Sequence, residues 1–511
     1  MSQILVQDLT FYYEESGEMI FDRLSVSLDT DWRLGLIGRN GRGKTTFLKL
    51  LAGEYGYRGL IRASVPFEYF PFPVRDPGRP ALEVLEDARP GLEFWKLLRE
   101  ISLQEMDPEL LYRPFASLSG GERTRLMLAL LFSDDRAFLL IDEPTNHLDL
   151  QARREVRAYL QKKKGFILVS HDRAFLDSCI DHVMALNRSG IEICQGNFST
   201  WWENRHRRDM QEERENERLK KEIGRLKEAA DRTKSWSAQA EQAKKGGTAD
   251  GGKVDRGYIG HKAAKVMKRA QSAKRRIERA AEEKQKLLKN VETEEELKLF
   301  SLQHERQTLL SLEKAVFSYD PTGRALTEPL TFSVRQGERI LLEGKNGSGK
   351  SSLLRVILGC EGAPRLCGGT VRKAGGLQIS WVSQDTLGLS GTLEELAERR
   401  GIDGTLLRMM LRKLDFSREQ FAKRIEHYSE GQKKKVLLAA SLCERAHLYL
   451  WDEPLNYIDL YSRMQLEDLI CTSGLTLLLV EHDEAFAARV ATGRLCLPSG
   501  EFREEPVFPE K

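Results

Sequence analysis

A glycine-rich phosphate loop followed by an Asp-Glu pair on a later apolar strand occurs twice in this chain. The first copy is Gly38-Arg39-Asn40-Gly41-Arg42-Gly43-Lys44-Thr45 with Asp142-Glu143, and the second is Gly344-Lys345-Asn346-Gly347-Ser348-Gly349-Lys350-Ser351 with Asp452-Glu453. The spacing between copies is nearly constant: 306 residues separate Lys44 from Lys350, 310 separate Asp142 from Asp452, and 311 separate His171 from His482. Such an offset means an internal duplication. Each loop follows an apolar strand (Leu34 to Ile37, Ile340 to Glu343) and opens a helix (Thr45 to Leu51, Ser351 to Leu358). That context turns a pattern match into a strong signal for two α/β nucleoside-triphosphatase cores.

A chain of 511 residues is too long for one ordinary core, and the duplication resolves it into two domains and a connector. Apolar runs such as Phe138 to Ile141 and Leu475 to Val480 are strand-sized, far short of the roughly 20 residues a membrane helix needs. Met1-Ser2-Gln3-Ile4 enters a strand pattern without the features of a secretory signal. The expectation is a cytoplasmic protein with no membrane partner. Its seven scattered cysteines form no CxxC pair, which predicts reduced, structural thiols.

The predicted order is a first ATPase domain over 1–200, a helical connector over 201–305, a second ATPase domain over 306–498, and a short Glu/Pro-rich tail over 499–511. In the connector, Leu219, Ile223, Leu226 and Ala230 recur at spacings of 4, 3 and 4, and Val266, Ala270, Ala273, Ile277 and Ala280 at 4, 3, 4 and 3. These are coiled-coil seams. Glycines 246, 247, 251 and 252 break the helix between them, so the connector reads as an antiparallel hairpin with arms of about 40 residues, on the order of 60 Å long. Arg232, Lys234, Lys244, Lys245, Lys253, Arg256, Lys262, Lys265, Lys268, Arg269, Lys274, Arg275 and Arg276 crowd toward its tip against only Glu241, Asp250 and Asp255, with Trp236, Tyr258 and Met267 among them. A basic tip with interleaved stacking residues suits a polyanion.

At each site the loop amides and Lys44 or Lys350 are suited to the phosphates, and Thr45 or Ser351 with Asp142 or Asp452 to magnesium. Glu143 and Glu453 are placed to orient or deprotonate an attacking water.

With these residues in view, the chain resembles the ABC ATPases. Leu118-Ser119-Gly120-Gly121-Glu122 and Tyr428-Ser429-Glu430-Gly431-Gln432 resemble the family's signature sequence, Leu148-Asp149 and Ile458-Asp459 its dimer loop, and His171 and His482 its switch histidine. Tyr13 and Tyr319 match its adenine-stacking aromatic, and Gln384 its magnesium-presenting glutamine. The resemblance implies an α/β fold of two ABC-type domains joined by a helical hairpin, using ATP and Mg2+. The implied nucleotide-binding set is Tyr13, Gly38, Asn40, Gly41, Gly43, Lys44, Thr45, Thr46, Ser119, Gly120 and Gly121, with Tyr319, Gly344, Asn346, Gly347, Gly349, Lys350, Ser351, Ser352, Ser429, Gly431 and Gln432 from the second half. Thr45, Asp142, Ser351, Gln384 and Asp452 are the implied metal residues, and Glu143, Glu453, His171 and His482 the implied catalytic ones. Head-to-tail closure would pair Lys44, Asp142 and Glu143 with Ser429 and Gly431, and Lys350, Asp452 and Glu453 with Ser119 and Gly121.

Asp142-Glu143-Pro144-Thr145-Asn146-His147-Leu148-Asp149 resembles the hallmark of the ABC-F branch, tandem ATPases that bind ribosomes. The short stretch from Tyr55 to Ser117, the variant Trp451-Asp452-Glu453-Pro454-Leu455-Asn456-Tyr457-Ile458-Asp459 and the long connector resemble the Lsa and Vga type of ribosome-protection factor. This implies a monomer acting on the 70S ribosome, with residues 236–262 entering the tRNA exit site near ribosomal RNA and P-site tRNA. Protection against lincosamides, pleuromutilins and streptogramin A drugs is the implied outcome. A housekeeping translation factor and a DNA-associated or transporter-coupled ATPase are the competing readings. Two departures stand out: Phe72 takes the place of Gln384 in the first half, and Glu430 replaces a signature glycine in the second. Both fall in one composite site, which is expected to hydrolyse more slowly.

Overall fold

The computed structural model describes residues 3–14, 17, 19–146, 148–187, 190–245, 301–319 and 325–504. They fall into two compact units, one of Met1–Trp201 with Glu296–Lys511 and the other of Trp202–Glu295.

Within the first unit the two halves build the same pair of sheets. In the first half β1 (Gln3–Tyr12), β2 (Met19–Asp29) and β4 (Arg58–Arg62) make an antiparallel sheet in the order β2-β1-β4. The six-stranded sheet is built from β3 (Arg33–Ile37), β5 (Phe67–Phe70), β6 (Phe138–Asp142), β7 (Phe166–Val169), β8 (His182–Asn187) and β9 (Gly190–Gln195), in the order β5-β6-β7-β3-β8-β9. Its strands are parallel except for β9. The second half repeats this with β10 (Thr308–Ser318), β11 (Leu330–Arg335) and β13 (Arg365–Lys373) in one sheet. The other holds β12 (Arg339–Glu343), β14 (Ile379–Val382), β15 (Leu448–Asp452), β16 (Leu477–Val480), β17 (Gly493–Cys496) and β18 (Glu501–Glu504) in the order β14-β15-β16-β12-β17-β18.

The apolar runs that read as strands are buried on both faces, as parallel strands covered by helices must be; every residue of β6 and β16 is buried. Alternate residues of the second large sheet feed separate cores: Leu341, Trp451, Leu477 and Leu479 face one, Ile340, Leu450, Leu478 and Val480 the other.

The duplication extends to backbone detail. β1 slips register at Asp8 and β10 at Lys314, each with a left-handed φ (48° and 50°). Opposite each bulge stands a glycine: a Cβ on Gly59 would lie 2.5 Å from the Asp8 carbonyl oxygen, and one on Gly369 would lie 2.2 Å from that of Lys314. Only glycine tolerates such an approach.

The predicted tail over 499–511 requires correction at its start. Gly500 (φ 71°) turns the chain and Glu501–Glu504 returns antiparallel to β17, with Phe502 opposite Leu495 and packed on the core. One apolar residue in an otherwise charged stretch is a weak sequence signal for an edge strand. The connector's first arm is a helix of 48 residues, Phe198–Lys245, in which Ile223 of the expected seam is buried. The glycine break, Tyr258, Met267 and the return arm lie outside the described residues, as does the side chain of Trp236. Among the described residues no helix is long and apolar enough to cross a membrane.

Candidate nucleotide sites

Both phosphate loops leave the carboxyl end of a central strand, β3 or β12, between strands that run to opposite sides, the position at which open α/β sheets bind ligands. Gly43 and Gly349 take left-handed conformations (φ 86° and 94°) as the N-caps of the helices Lys44–Leu51 and Lys350–Leu358. Those helix N-termini carry the free amides that favour phosphate. Lys44 Nζ donates to the Gly38 carbonyl at 2.7 Å, and Lys350 Nζ to those of Gly344 and Lys345 at 2.8 and 3.0 Å. Burial lowers the pKa of both lysines. Tyr13 Oη bonds Thr46 Oγ1 at 2.8 Å and Tyr319 Oη bonds Ser352 Oγ at 2.9 Å, which fixes each exposed ring beside its loop.

At the first site Asp142 ends β6 and its Oδ2 accepts from Thr45 Oγ1 at 2.7 Å and from Tyr69 Oη at 3.0 Å. Burial, with Asp142 alongside, pushes the Tyr69 hydroxyl far above its usual pKa and keeps it a donor. His171 Nε2 lies 3.2 Å from Glu143 Oε1. Burial, with Asp142 next to it, pushes Glu143 up to about 7. Burial likewise holds His171 well below the usual imidazole range, with Lys44 and Arg463 adding to the shift.

At the second site Ser351 hydrogen-bonds Asp452, whose pKa burial raises to about 6. Here the glutamate is held differently. Glu453 Oε2 accepts from Gln384 Nε2 at 2.9 Å and from Asn456 Nδ2 at 2.7 Å, while His482 Nε2 is 3.8 Å from Oε1. Burial, with Lys350 and Arg153 nearby, lowers His482 to about 3. Glu143 and Glu453 share a left-handed backbone (φ 49° and 45°), an unusual conformation for glutamate that recurs where side chains are aimed for function.

The two halves meet at both loops. Asn40 Nδ2 donates to the Tyr457 carbonyl at 2.9 Å, and Arg39 pairs with Asp415 at 2.9 Å. A Cβ on Gly431 would stand 3.2 Å from Asn40 Nδ2 and 2.6 Å from the Tyr457 oxygen, so the second signature abuts the first loop through a glycine. At the other loop the Asn346 amide faces Asp149 Oδ2 at 3.5 Å. A cavity of about 390 Å³ there is lined by Lys350, Ser351, Gln384, Glu453 and His482, with Leu148 and Arg153 from the first half. Ser119 and Gly121 are not among its lining residues; Ser119 caps the helix Gly120–Phe132 in a capping box with Glu122, and a Cβ on Gly121 would meet Ala152 Cβ at 2.7 Å. Ser429 caps its own helix in the same way with Gln432, and the Glu430 carboxylate pairs with Thr386 and with Lys433.

Sequence reasoning missed Tyr69, Asn456 and Arg153. Tyr69 occupies the register position of Trp381, since Tyr69 pairs with Leu140 as Trp381 pairs with Leu450. That exchange of a hydroxyl for an indole, three residues before Phe72 and Gln384, was the available signal.

The residues present suit a divalent cation with a nucleotide. Asp142 Oδ1 and Asp452 Oδ1 are buried without a hydrogen-bond partner, each on a carboxylate already held by the hydroxyl of Thr45 or Ser351. A hard cation with oxygen ligands satisfies such an oxygen.

Comparison with known proteins agrees with this geometry. A family model described as ABC transporter matches residues 21–146 and 327–456, half of the chain, and a second of that description matches 184–246. A ribosome protection protein, VmlR of Bacillus subtilis, is 30% identical over 501 residues, covering 95% of this chain and 85% of that protein. ATP-binding cassette sub-family F member 3 of Mus musculus is 28% identical over 512 residues, covering 90% and 67%. An archaeal ribosome recycling factor, aABCE1, solved with the stalk protein aP1, shares the fold with a TM-score of 0.61 at 20% identity, over 97% of this chain and 89% of that one. Two ATP-binding cassettes, each with its phosphate loop, acid pair and histidine, on one chain of this similarity make the protein an ATPase of the ABC-F family.

Proposed function

We propose that this ATPase binds the bacterial 70S ribosome in the cytoplasm, enters the tRNA exit site with its helical connector, and protects the peptidyl transferase centre from large-subunit antibiotics. The observation that carries the reading is the likeness to a ribosome protection protein over 95% of the chain, connector included. Lincosamides, pleuromutilins and streptogramin A compounds are the drug classes proposed, and residues 236–262 the segment nearest ribosomal RNA and P-site tRNA.

In this reading Lys44 with the first loop and Lys350 with the second bind the triphosphate, and Tyr13 and Tyr319 position the base. Thr45 with Asp142, and Ser351 with Asp452 and Gln384, hold magnesium. A cation held by these residues would supply positive charge against the triphosphate. Glu143 and Glu453 orient the attacking water, and His171 and His482, kept neutral by burial, contribute a hydrogen bond rather than a charge. Gly431 lets the second signature reach the first loop. Closure of the two halves is intramolecular in a monomer, and it moves the base of the connector.

Expression in a susceptible bacterium, challenged with a panel of ribosomal antibiotics beside the Glu143→Gln, Glu453→Gln double variant, tests the proposal. The expected result is resistance to large-subunit drugs that the double variant does not confer. No protection against any of them would favour a general translation factor instead.

A further inference from the structure

The interface between the two ATPase halves carries ion pairs whose signs are sorted by half. Glu484 receives Arg154 Nη2 at 2.7 Å and Arg157 Nη1 at 3.2 Å, and Glu467 pairs with Arg173. Every arginine here belongs to the first half and both glutamates to the second. Glu467 is wholly buried, and Arg489 of its own half reaches it at 3.3 Å.

Matching hydrogen bonds fix how these positions correspond. Arg153 donates to the Leu148 carbonyl at 3.1 Å and to Asp172 at 3.1 Å; Arg463 donates to the Ile458 carbonyl at 3.0 Å and to Asp483 at 2.9 Å. Arg153 and Arg463 are therefore equivalent, as are Asp172 and Asp483. Four residues after each arginine stand Arg157 and Glu467, and directly after each aspartate stand Arg173 and Glu484. The pairs Arg157–Glu484 and Arg173–Glu467 are thus one contact seen twice, related by the pseudo-twofold of the duplication. At both equivalent positions the first half is basic and the second acidic.

We propose that these four side chains form a charge code that makes each ATPase half close on the complementary half and reject a copy of itself. Two first halves would bring Arg157 against Arg173. Two second halves would bring Glu467 against Glu484, leaving Glu467 buried beside a like charge, among the costliest arrangements an interface can hold. Discrimination between partners rests as much on such repulsion as on attraction. A duplicated chain needs it, because in two separate molecules like halves present otherwise equivalent surfaces. The Arg173–Glu467 pair, the more buried of the two, dominates.

The test uses full-length chains in which Arg154 and Arg489, the neighbours that also reach these glutamates, are set to Gln throughout, reference included. One chain carries Arg157→Glu with Arg173→Glu and is acidic in both halves. Another carries Glu467→Arg with Glu484→Arg and is basic in both, and a third carries all four. Each half-swapped chain is expected to lose at least about 10-fold in ATP turnover. The four-fold swap should return to within about 3-fold of the reference. Mixing the acidic and basic chains should raise turnover above either alone. In the Glu143→Gln, Glu453→Gln background with ATP, light scattering should then find the mixture at twice the mass of one chain and each chain alone at the mass of one. Half-swapped chains as active as the reference, or a four-fold swap and a mixture without recovery while thermal melts show all chains folded, would overturn the code. If a charge reversal prevents folding, the cycle of Arg173→Gln and Glu467→Gln replaces it: the double variant should be better than the product of the singles, and independent effects would overturn the proposal.

Discussion

At the first nucleotide site Glu143 stands 3.2 Å from His171 while the neighbouring Asp142 is held by Thr45 and Tyr69; at the second, Glu453 accepts hydrogen bonds from Gln384 and Asn456 and lies 3.8 Å from His482. Hydrogen bonds from two amides fix the direction of a carboxyl group more firmly than a single neighbouring imidazole does. The frame of loop, strand end and histidine is common to both sites, and what differs is the set of donors around the glutamate. The second site therefore holds its glutamate from two side-chain amides, while the first leaves its glutamate beside a histidine, with its pKa pushed up to about 7 by burial next to Asp142. Duplication kept the scaffold and let the polar contacts diverge, and we propose that this divergence slows turnover at the site containing Phe72.

The largest effect expected is from removing both glutamates. Glu143→Gln with Glu453→Gln should lower ATP turnover by about 10³-fold, within the range of general-base losses, as measured by phosphate release. Gln384→Ala, which strips one of the two amides from Glu453, should cost about 10-fold, and Tyr69→Phe, read on the turnover remaining in a Glu453→Gln chain, about 3-fold, since each removes one hydrogen bond to a carboxyl group. Placing Phe72→Gln in a Glu453→Gln chain sharpens the contrast: turnover remaining at the first site should rise, and no change would show that Phe72 is not what slows it.

A smaller effect separates the carboxyls by pH. Glu143 titrates near 7 when folded against an ordinary 4.5, so the folded protein holds its proton more tightly than the unfolded chain. The stability from this group is complete below about pH 4.5 and is lost as pH rises through 7. Asp452, raised to about 6, acts in the same sense, while the depressed histidines oppose both below their ordinary pKa. Glu143→Gln isolates one contribution. Without nucleotide it should be more stable than the parent by about 2 kcal/mol at pH 8, and the advantage should shrink toward pH 5 in thermal melts. The smallest effect expected is a rise of a few-fold in KM for ATP in Tyr13→Ala or Tyr319→Ala, from the loss of one stacking contact.

The duplicated loops, acid pairs and histidines were legible because phosphate binding demands particular residues at fixed spacing on strand ends and helix starts. Tyr69 was not, because its partner Asp142 is brought to it only when β5 lies beside β6. The edge strand Glu501–Glu504 was lost in a charged stretch whose one apolar side chain packs on the core. Head-to-tail closure was expected for both sites, and the contacts differ between them: Gly431 abuts Asn40 at the first loop, while Leu148 and Arg153 line the second. The arginines and glutamates that sort the two halves read as ordinary surface charges until equivalent residues are matched through shared hydrogen bonds.

The most direct test is ATP turnover of Glu143→Gln and Glu453→Gln made separately. The inequality of the sites predicts a loss of about 10²-fold or more for Glu453→Gln and less than about 10-fold for Glu143→Gln. Equal losses would contradict it.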